Sequence, residues 1–268
     1  MRHASIPVAA ATTMFLLGVF IINLQVWYSA RADSLAEAHY VVRNMNVILK
    51  EARHATEMAM QLAENECDAE GQYRLGTEAA LQPHLRTIVI LKNDAVWCSS
   101  LPGNRVLLVN SSILPESSLL LVPSASTVNG LPVLLYQTIH AGSRIIVSIS
   151  DSHIRDALDM PLNGVEYSLR VGNNLLGLTG DVTTADPTKK QLLTVKASGY
   201  PFSVQFNSPP LFSLKRLFNR AGGVVLFLLI ISSLSAYILQ RYISKDVSPE
   251  ESLRIAIYRN EIIPYYQP

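Results

Sequence analysis

Two long uncharged hydrophobic runs, residues 8–28 and 221–239, interrupt an otherwise mixed pattern of apolar and polar positions. Each holds about 20 residues, and a helix of that length crosses a bilayer core of roughly 30 Å. The pattern therefore predicts a membrane protein with two transmembrane helices flanking one large domain. The predicted segments are a transmembrane signal anchor at 1–28, a domain at 29–220, a second transmembrane helix at 221–240 and a C-terminal segment at 241–268.

A cleaved signal peptide is the alternative for the first run, because Ala30-Arg31-Ala32 has the small-x-small form of a cleavage site. The run is longer than the roughly 7–15 residues of a signal-peptide core. Trp27 and Tyr28 also stand at its end, like aromatic residues at a membrane interface. We therefore favour an uncleaved anchor.

The orientation prediction places both termini in the cytoplasm and residues 29–220 outside it, with Arg2 retained inside. Lys215, Arg216 and Arg220 precede the second run and oppose this orientation. A segment as long as 29–220 is translocated largely regardless of its charge, and the first span usually decides the topology.

Residues 29–65 contain no Gly or Pro, and small or apolar side chains recur at alternating steps of three and four residues. This heptad pattern predicts one long helix that ends before Gly71. Its seam fits packing within the domain or pairing with a second copy in a homodimer, and both remain open. The seam residues are Leu35, Ala38, Val42, Met45, Leu49, Ala52, Thr56, Ala59 and Ala63.

Beyond Arg86 the pattern changes to short β-rich runs separated by turn residues, with a short helix at 151–160. A long helix followed by a mixed or antiparallel sheet defines an α+β domain. A further helix is predicted to open at Pro249, in the capping sequence Ser248-Pro249-Glu250-Glu251. The predicted strands are 86–91, 94–99, 105–110, 131–138, 143–150, 165–171 and 191–198.

Composition changes this picture little: the formal net charge is +1 and 16% of the residues are charged. A chain this close to neutral gives no electrostatic reason to expect a nucleic-acid partner.

The chain has two cysteines, Cys67 and Cys98. No closely spaced pair of cysteines or histidines predicts a metal site, and nothing local supports a cysteine nucleophile. A disulfide is the best physical interpretation, because an oxidising compartment preserves it and closing the loop stabilises the fold by about 3.7 kcal/mol. A purely structural bond and a regulatory one remain open. Cys98, just before Pro102-Gly103, is expected to be the more accessible thiol.

Two motifs resemble one enzyme family. Cys98-Ser99-Ser100 follows a β run between two predicted spans, and resembles the CSS-motif sensor domain of bacterial membrane-bound cyclic-di-GMP phosphodiesterases. The C-terminal stretch L-R-I-A-I-Y-R-N-E-I-I-P-Y-Y-Q-P resembles the opening of the EAL domain, the barrel that hydrolyses cyclic di-GMP in that family. Its most specific element is Tyr265, Tyr266, Gln267 and Pro268.

The resemblance implies a redox-sensing module in the bacterial inner membrane, with residues 29–220 in the periplasm. The Cys67–Cys98 bond would hold the enzyme off, and free thiols would permit activity. The implied partners are the lipid bilayer, a periplasmic thiol oxidase or reductase, and a second copy of the chain.

An EAL barrel needs roughly 250 residues, and the family's metal-binding carboxylates and catalytic lysine match no position here. The 268 residues are therefore expected to bind no cofactor and to be inactive by themselves. Mg²⁺ or Mn²⁺ and cyclic di-GMP would bind only to the missing domain.

Two other functions remain open. One is a receptor for a small ligand with a structural disulfide, which a pocket lined by polar groups would favour. The other is a dimerising fragment that inhibits full-length relatives.

Overall fold

A computed structural model describes residues 5–64, 66–101, 118–127, 130–159, 165–185, 192–243 and 249–259. It confirms the α+β class. The chain divides into two compact units, one of Met1–Ser29 with Pro210–Pro268 and one of Ala30–Pro209.

The helices are α1 (Ser5–Ala63), α2 (Ala69–Leu81), α3 (Asp151–Leu158), α4 (Leu214–Ile243) and α5 (Pro249–Tyr258). The strands are β1 (Leu85–Lys92), β2 (Ala95–Ser99), β3 (Leu119–Val122), β4 (Val133–His140), β5 (Ser143–Ser150), β6 (Tyr167–Val171), β7 (Asn174–Leu176), β8 (Val182–Thr184), β9 (Leu192–Lys196) and β10 (Phe202–Asn207).

The strands of the second unit form two five-stranded sheets. The first sheet has the order β2-β1-β5-β4-β3, and the second has the order β8-β7-β6-β10-β9. Every described strand pair is antiparallel.

Both faces of the first sheet are buried. Ile88 and Ile90 on β1 join the main core, whereas Val89 and Leu91 belong to a second apolar cluster on the opposite face. A strand buried on both sides has no polar alternation, and this accounts for the continuous apolar run of β1.

The second sheet has one apolar face and one polar face. Tyr167, Leu169 and Val171 on β6 lie in the main core, and the intervening Ser168 and Arg170 are only half-buried. This alternation is typical of an antiparallel strand between a core and solvent. The second sheet therefore presents a polar outer face.

Helix α1 packs its seam inside its own domain. Leu35 is 43% exposed, so its assignment to the seam is wrong, but the other predicted seam residues are buried. Val41, Ile48 and Ala55 are buried as well and join the same core. The buried stripe is thus wider than a coiled-coil seam, and the predicted packing within the domain is confirmed.

One buried polar contact ties α1 to β6. The hydroxyl group of Tyr167 donates to the Glu37 Oε2 atom at 2.6 Å, and the Ser34 carbonyl oxygen lies 3.2 Å from the same hydroxyl oxygen. Burial raises the pKa of Tyr167, and its hydrogen bond with Glu37 raises that pKa further. Tyr167 therefore stays protonated at neutral pH and keeps its donor role.

In the first unit, Phe15, Val19, Ile22 and Val26 of α1 pack around a buried α4 cluster of Leu217, Ala221 and Val225. α1 and α4 are each long and apolar enough to cross a membrane, judged by length and composition. A methyl group added at Gly18 would clash with the Leu228 side chain, so glycine permits close packing of the two helices there.

Some elements depart from the sequence predictions. α1 ends at Ala63, before Gly71 as predicted. α2 was not predicted, and neither were the strands β3, β7, β8 and β10. α3 and α5 confirm the two short helices, and α5 begins at Pro249 as expected. The predicted strand 105–110 and the EAL element Tyr265, Tyr266, Gln267 and Pro268 lie outside the described residues.

Candidate redox site: the Cys67–Cys98 disulfide

Cys67 and Cys98 form a disulfide, with Cα atoms 5.7 Å apart. This confirms the predicted bond. Neither described cysteine is free, and no cluster of three or more His, Cys, Asp or Glu side chains in the described part of the chain is arranged to hold a metal ion. Disulfide chemistry is therefore the chemistry that this site supports.

A β-bulge at Trp97 orients Cys98. Val96 lies opposite Leu91 and Cys98 lies opposite Ile90, so Trp97 is an extra residue in β2. Residues two apart on a regular strand face the same side, yet Val96 joins the outer cluster and Cys98 joins the main core. The bulge thus turns the Cys98 side chain toward the face where Cys67 lies.

We expect deletion of Trp97 to leave the disulfide intact. The shortened strand would pair regularly, with Val96 still opposite Leu91 and Cys98 still opposite Ile90. Counting free thiols by alkylation with a polyethylene-glycol maleimide checks this, with wild type as the control. Two free thiols in the deletion variant would contradict the bulge, because a strand without one would move Cys98 to the other face.

The two serines of the motif hold the end of β2. The Ser100 backbone N–H donates to the Ile88 carbonyl oxygen at 2.9 Å, and the Ser100 hydroxyl oxygen accepts from the Ile88 N–H at 3.0 Å. The Ser99 hydroxyl oxygen accepts from the Leu101 N–H at 3.1 Å. Hydroxyl groups thereby continue the hydrogen bonding of an edge strand beyond its last regular pair, and fix the backbone next to Cys98.

Cys67 lies in the connection between α1 and α2, directly before the residue that caps α2. The Asp68 carboxylate accepts from the Gly71 N–H at 2.7 Å, which satisfies a donor in the first turn of the helix. Gly76 brings α2 close to the Ser100 carbonyl oxygen. The disulfide therefore joins the start of α2 to the edge of the first sheet.

The exposure of the two cysteines reverses the sequence expectation. Cys98 is 1% exposed, whereas Cys67 is only partly buried. The prediction that Cys98 is the more accessible thiol is wrong, because Cys98 faces the helix-covered side of the sheet. Glu66, Asp68 and Glu70 around Cys67 are exposed, so the accessible end of the bond lies in an acidic environment.

Sequence reasoning missed the role of α2, although a signal for it exists. Asp68 followed by Glu70 has the form of a helix cap and an acidic first turn. The Lys92 ammonium group over the Trp97 ring, 3.5 Å from the centroid, was also missed, because the bulge that presents the ring has no sequence signature.

Comparison with known proteins places this geometry in a family. The family model described as "CSS motif domain associated with EAL" matches residues 30–220. "Probable cyclic di-GMP phosphodiesterase PdeG" of Escherichia coli strain K12 is 52% identical over 268 residues, which are 100% of this chain and 53% of the relative. The chain thus spans about half the length of that relative. Because the matched residues 30–220 make up most of the chain, the chain belongs to the family of CSS-motif domains associated with EAL.

Proposed function

We propose that this chain is the redox-sensing regulatory module of a membrane-bound cyclic-di-GMP phosphodiesterase, and that the Cys67–Cys98 disulfide is its switch. The disulfide holds phosphodiesterase activity low, and reduction to two thiols raises it. The single observation that carries the proposal is the position of the bond, between a solvent-accessible connection and a buried strand of the core.

The proposed conformational change is the release of α2. Only Gly71 and Leu75 are buried in this helix, whereas Tyr73 and Leu81 are 74% and 69% exposed. A helix with so small a buried face depends on the covalent tie at its N-terminal end. Breaking the bond also frees the connection that follows α1, four residues after its end at Ala63.

The proposed reduction is a thiol–disulfide exchange that begins at Cys67. A thiolate of a periplasmic oxidoreductase attacks the Cys67 Sγ atom, forms a mixed disulfide and displaces the Cys98 sulfur, which takes up a proton. A second thiol of the oxidoreductase then releases Cys67 and leaves the oxidoreductase oxidised. Exposed carboxylates near Cys67 disfavour a thiolate there, so the return reaction with small oxidants is slow and an enzyme catalyses it.

The proposed location is the bacterial inner membrane, with α1 and α4 spanning it, residues 29–220 in the periplasm and both termini in the cytoplasm. The length and apolar composition of α1 and α4 support two spans. An oxidising periplasm would keep the disulfide formed.

We expect native membranes to contain one intramolecular disulfide, and membranes from cells that lack the periplasmic thiol oxidase to contain two free thiols. Alkylation with a polyethylene-glycol maleimide, with and without reductant, reports the number of free thiols per chain as a gel shift. A variant with Cys67→Ser and Cys98→Ala calibrates the unshifted band. Free thiols in oxidised wild-type membranes, or crosslinked dimers that disappear in either single variant, would contradict the assignment.

A further inference from the structure

The outer face of the second sheet carries a groove of about 950 Å³, whereas the disulfide lies at the edge of the first sheet. Its floor consists of side chains in register across neighbouring strands. Ser168 on β6 lies opposite Gln205 on β10, which lies opposite Thr194 on β9. Hydroxyl and amide groups therefore dominate the groove, and both can donate and accept hydrogen bonds.

Gln205 lies at the centre of the groove floor. Its side chain points away from the core and lines the groove, and the residue is 6% exposed. Among the described residues its side-chain amide makes no hydrogen bond, yet neither of its polar atoms is one of the fully buried atoms without a partner. The amide therefore still reaches solvent and is free to donate to and accept from a ligand in the groove.

Charged groups lie at separate points of the groove. Within the described part of the chain, the Arg170 guanidinium makes one side-chain hydrogen bond, from Nε to the Gly172 carbonyl oxygen at 3.0 Å, and its two Nη groups are not engaged. Glu166 and Asp181 also line the groove and are exposed. The groove thus offers one cationic and two anionic contacts.

The spacing of these charges selects the length of the ligand. Glu166 precedes Arg170 by four residues, which in extended chain corresponds to about 13 Å between their Cα atoms. A tripeptide in extended form spans roughly 10 Å, which leaves room for one contact at each end. The two charged groups of a single amino acid are too close together to reach both.

We infer that this groove binds a short hydrophilic peptide of about three residues with free termini. Its terminal carboxylate pairs with Arg170, its terminal ammonium group with Glu166, and one of its peptide units with the Gln205 amide. A neutral sugar would leave the charges unmatched, and none of the described lining residues offers an aromatic ring for a sugar to stack on. The inference is independent of whether the disulfide acts as a switch.

The test uses the full chain in detergent, with its disulfide formed, and tripeptides of the form Ala-Xaa-Ala with every amino acid at the middle position. Thermal unfolding identifies tripeptides that raise the midpoint, and calorimetry measures their Kd. The same tripeptides are also tested with an amidated C-terminus, which removes the carboxylate, and with an acetylated N-terminus, which removes the ammonium group. Maltotriose is tested as a neutral sugar. We expect the free tripeptides to bind about tenfold or more tightly than the amidated ones, because a charge-assisted hydrogen bond is lost.

Three variants locate the site. Arg170→Gln is expected to abolish the preference for the free carboxylate, and Gln205→Met to weaken all tripeptides without lowering stability. Lys196→Gln is the matched control, since Lys196 lies in the same cross-strand row as Arg170, beside Ser203, but is exposed and outside the groove. The proposal is overturned if no tripeptide binds, if maltotriose binds instead, or if Arg170→Gln leaves the preference for the free acid unchanged.

Discussion

Replacing Cys67 by serine and Cys98 by alanine together lowers the midpoint of thermal unfolding by about 7–15 °C. The two cysteines are 31 residues apart in sequence, and a crosslink of this length is worth about 3.7 kcal/mol through the entropy of the unfolded chain. For a domain of this size each kcal/mol shifts the midpoint by about 2–4 °C. Alanine is chosen at Cys98 because that site is buried, whereas serine suits the partly exposed Cys67.

The same variant also shows where the bond acts. Amide hydrogen exchange should accelerate most in α2 and the residues before it, and less in β5, the central strand of the first sheet, whose amides exchange faster only through the loss of global stability. Wild type treated with dithiothreitol is the control and should match the variant, while the variant itself should not respond to dithiothreitol. Uniform acceleration through both sheets would show that the bond supports the whole domain and does not act on α2.

Leu49→Ala lowers the free energy of unfolding by about 2–5 kcal/mol, because a fully buried leucine is replaced by a smaller side chain that leaves a cavity. Val47→Ala on the same helix is the matched control. Val47 is 56% exposed, and its replacement should change stability by no more than about 0.5 kcal/mol. Chemical denaturation of both variants measures the difference.

How the stability loss in Leu49→Ala varies with protein concentration distinguishes packing of the α1 seam within the domain from pairing with a second chain. Packing within the domain makes the Leu49→Ala effect independent of concentration. A loss of stability that grows on dilution, together with a loss of dimers by light scattering, would show instead that Leu49 belongs to an interface between two chains.

The parts of the fold that were predictable share a strong local pattern. The apolar runs of α1 and α4 are long enough to cross a membrane, the continuous apolar run of β1 matches its burial on both faces, and the alternation along β6 matches its burial on one face. β3, β7 and β8 are only three or four residues long, so they hold too few positions to show any period. Such short strands form only by pairing with neighbouring strands, which the local sequence does not show.

The pairing of Cys67 with Cys98 could be predicted from the sequence, but the exposure of each sulfur atom could not. Two cysteines in a segment predicted to lie outside the cytoplasm suffice to suggest one bond. Which sulfur is accessible depends on the bulge at Trp97, and a bulge arises from strand pairing between residues distant in sequence. The burial of Gln205 could not be predicted for the same reason. Its position on β10 faces outward, and only the assembled groove buries it.

The most direct test of the central claim measures cyclic-di-GMP hydrolysis by a chimera in which these 268 residues are followed by the remaining half of the Escherichia coli relative. The rate is recorded for the oxidised chimera, after reduction with dithiothreitol, and for the Cys67→Ser/Cys98→Ala variant, with alkylation to verify each thiol state. A switch predicts that reduction raises the rate roughly fivefold or more, to that of the variant, which does not itself respond to reductant. Equal rates for the oxidised and the fully reduced chimera would contradict a regulatory disulfide and leave Cys67–Cys98 as a structural bond.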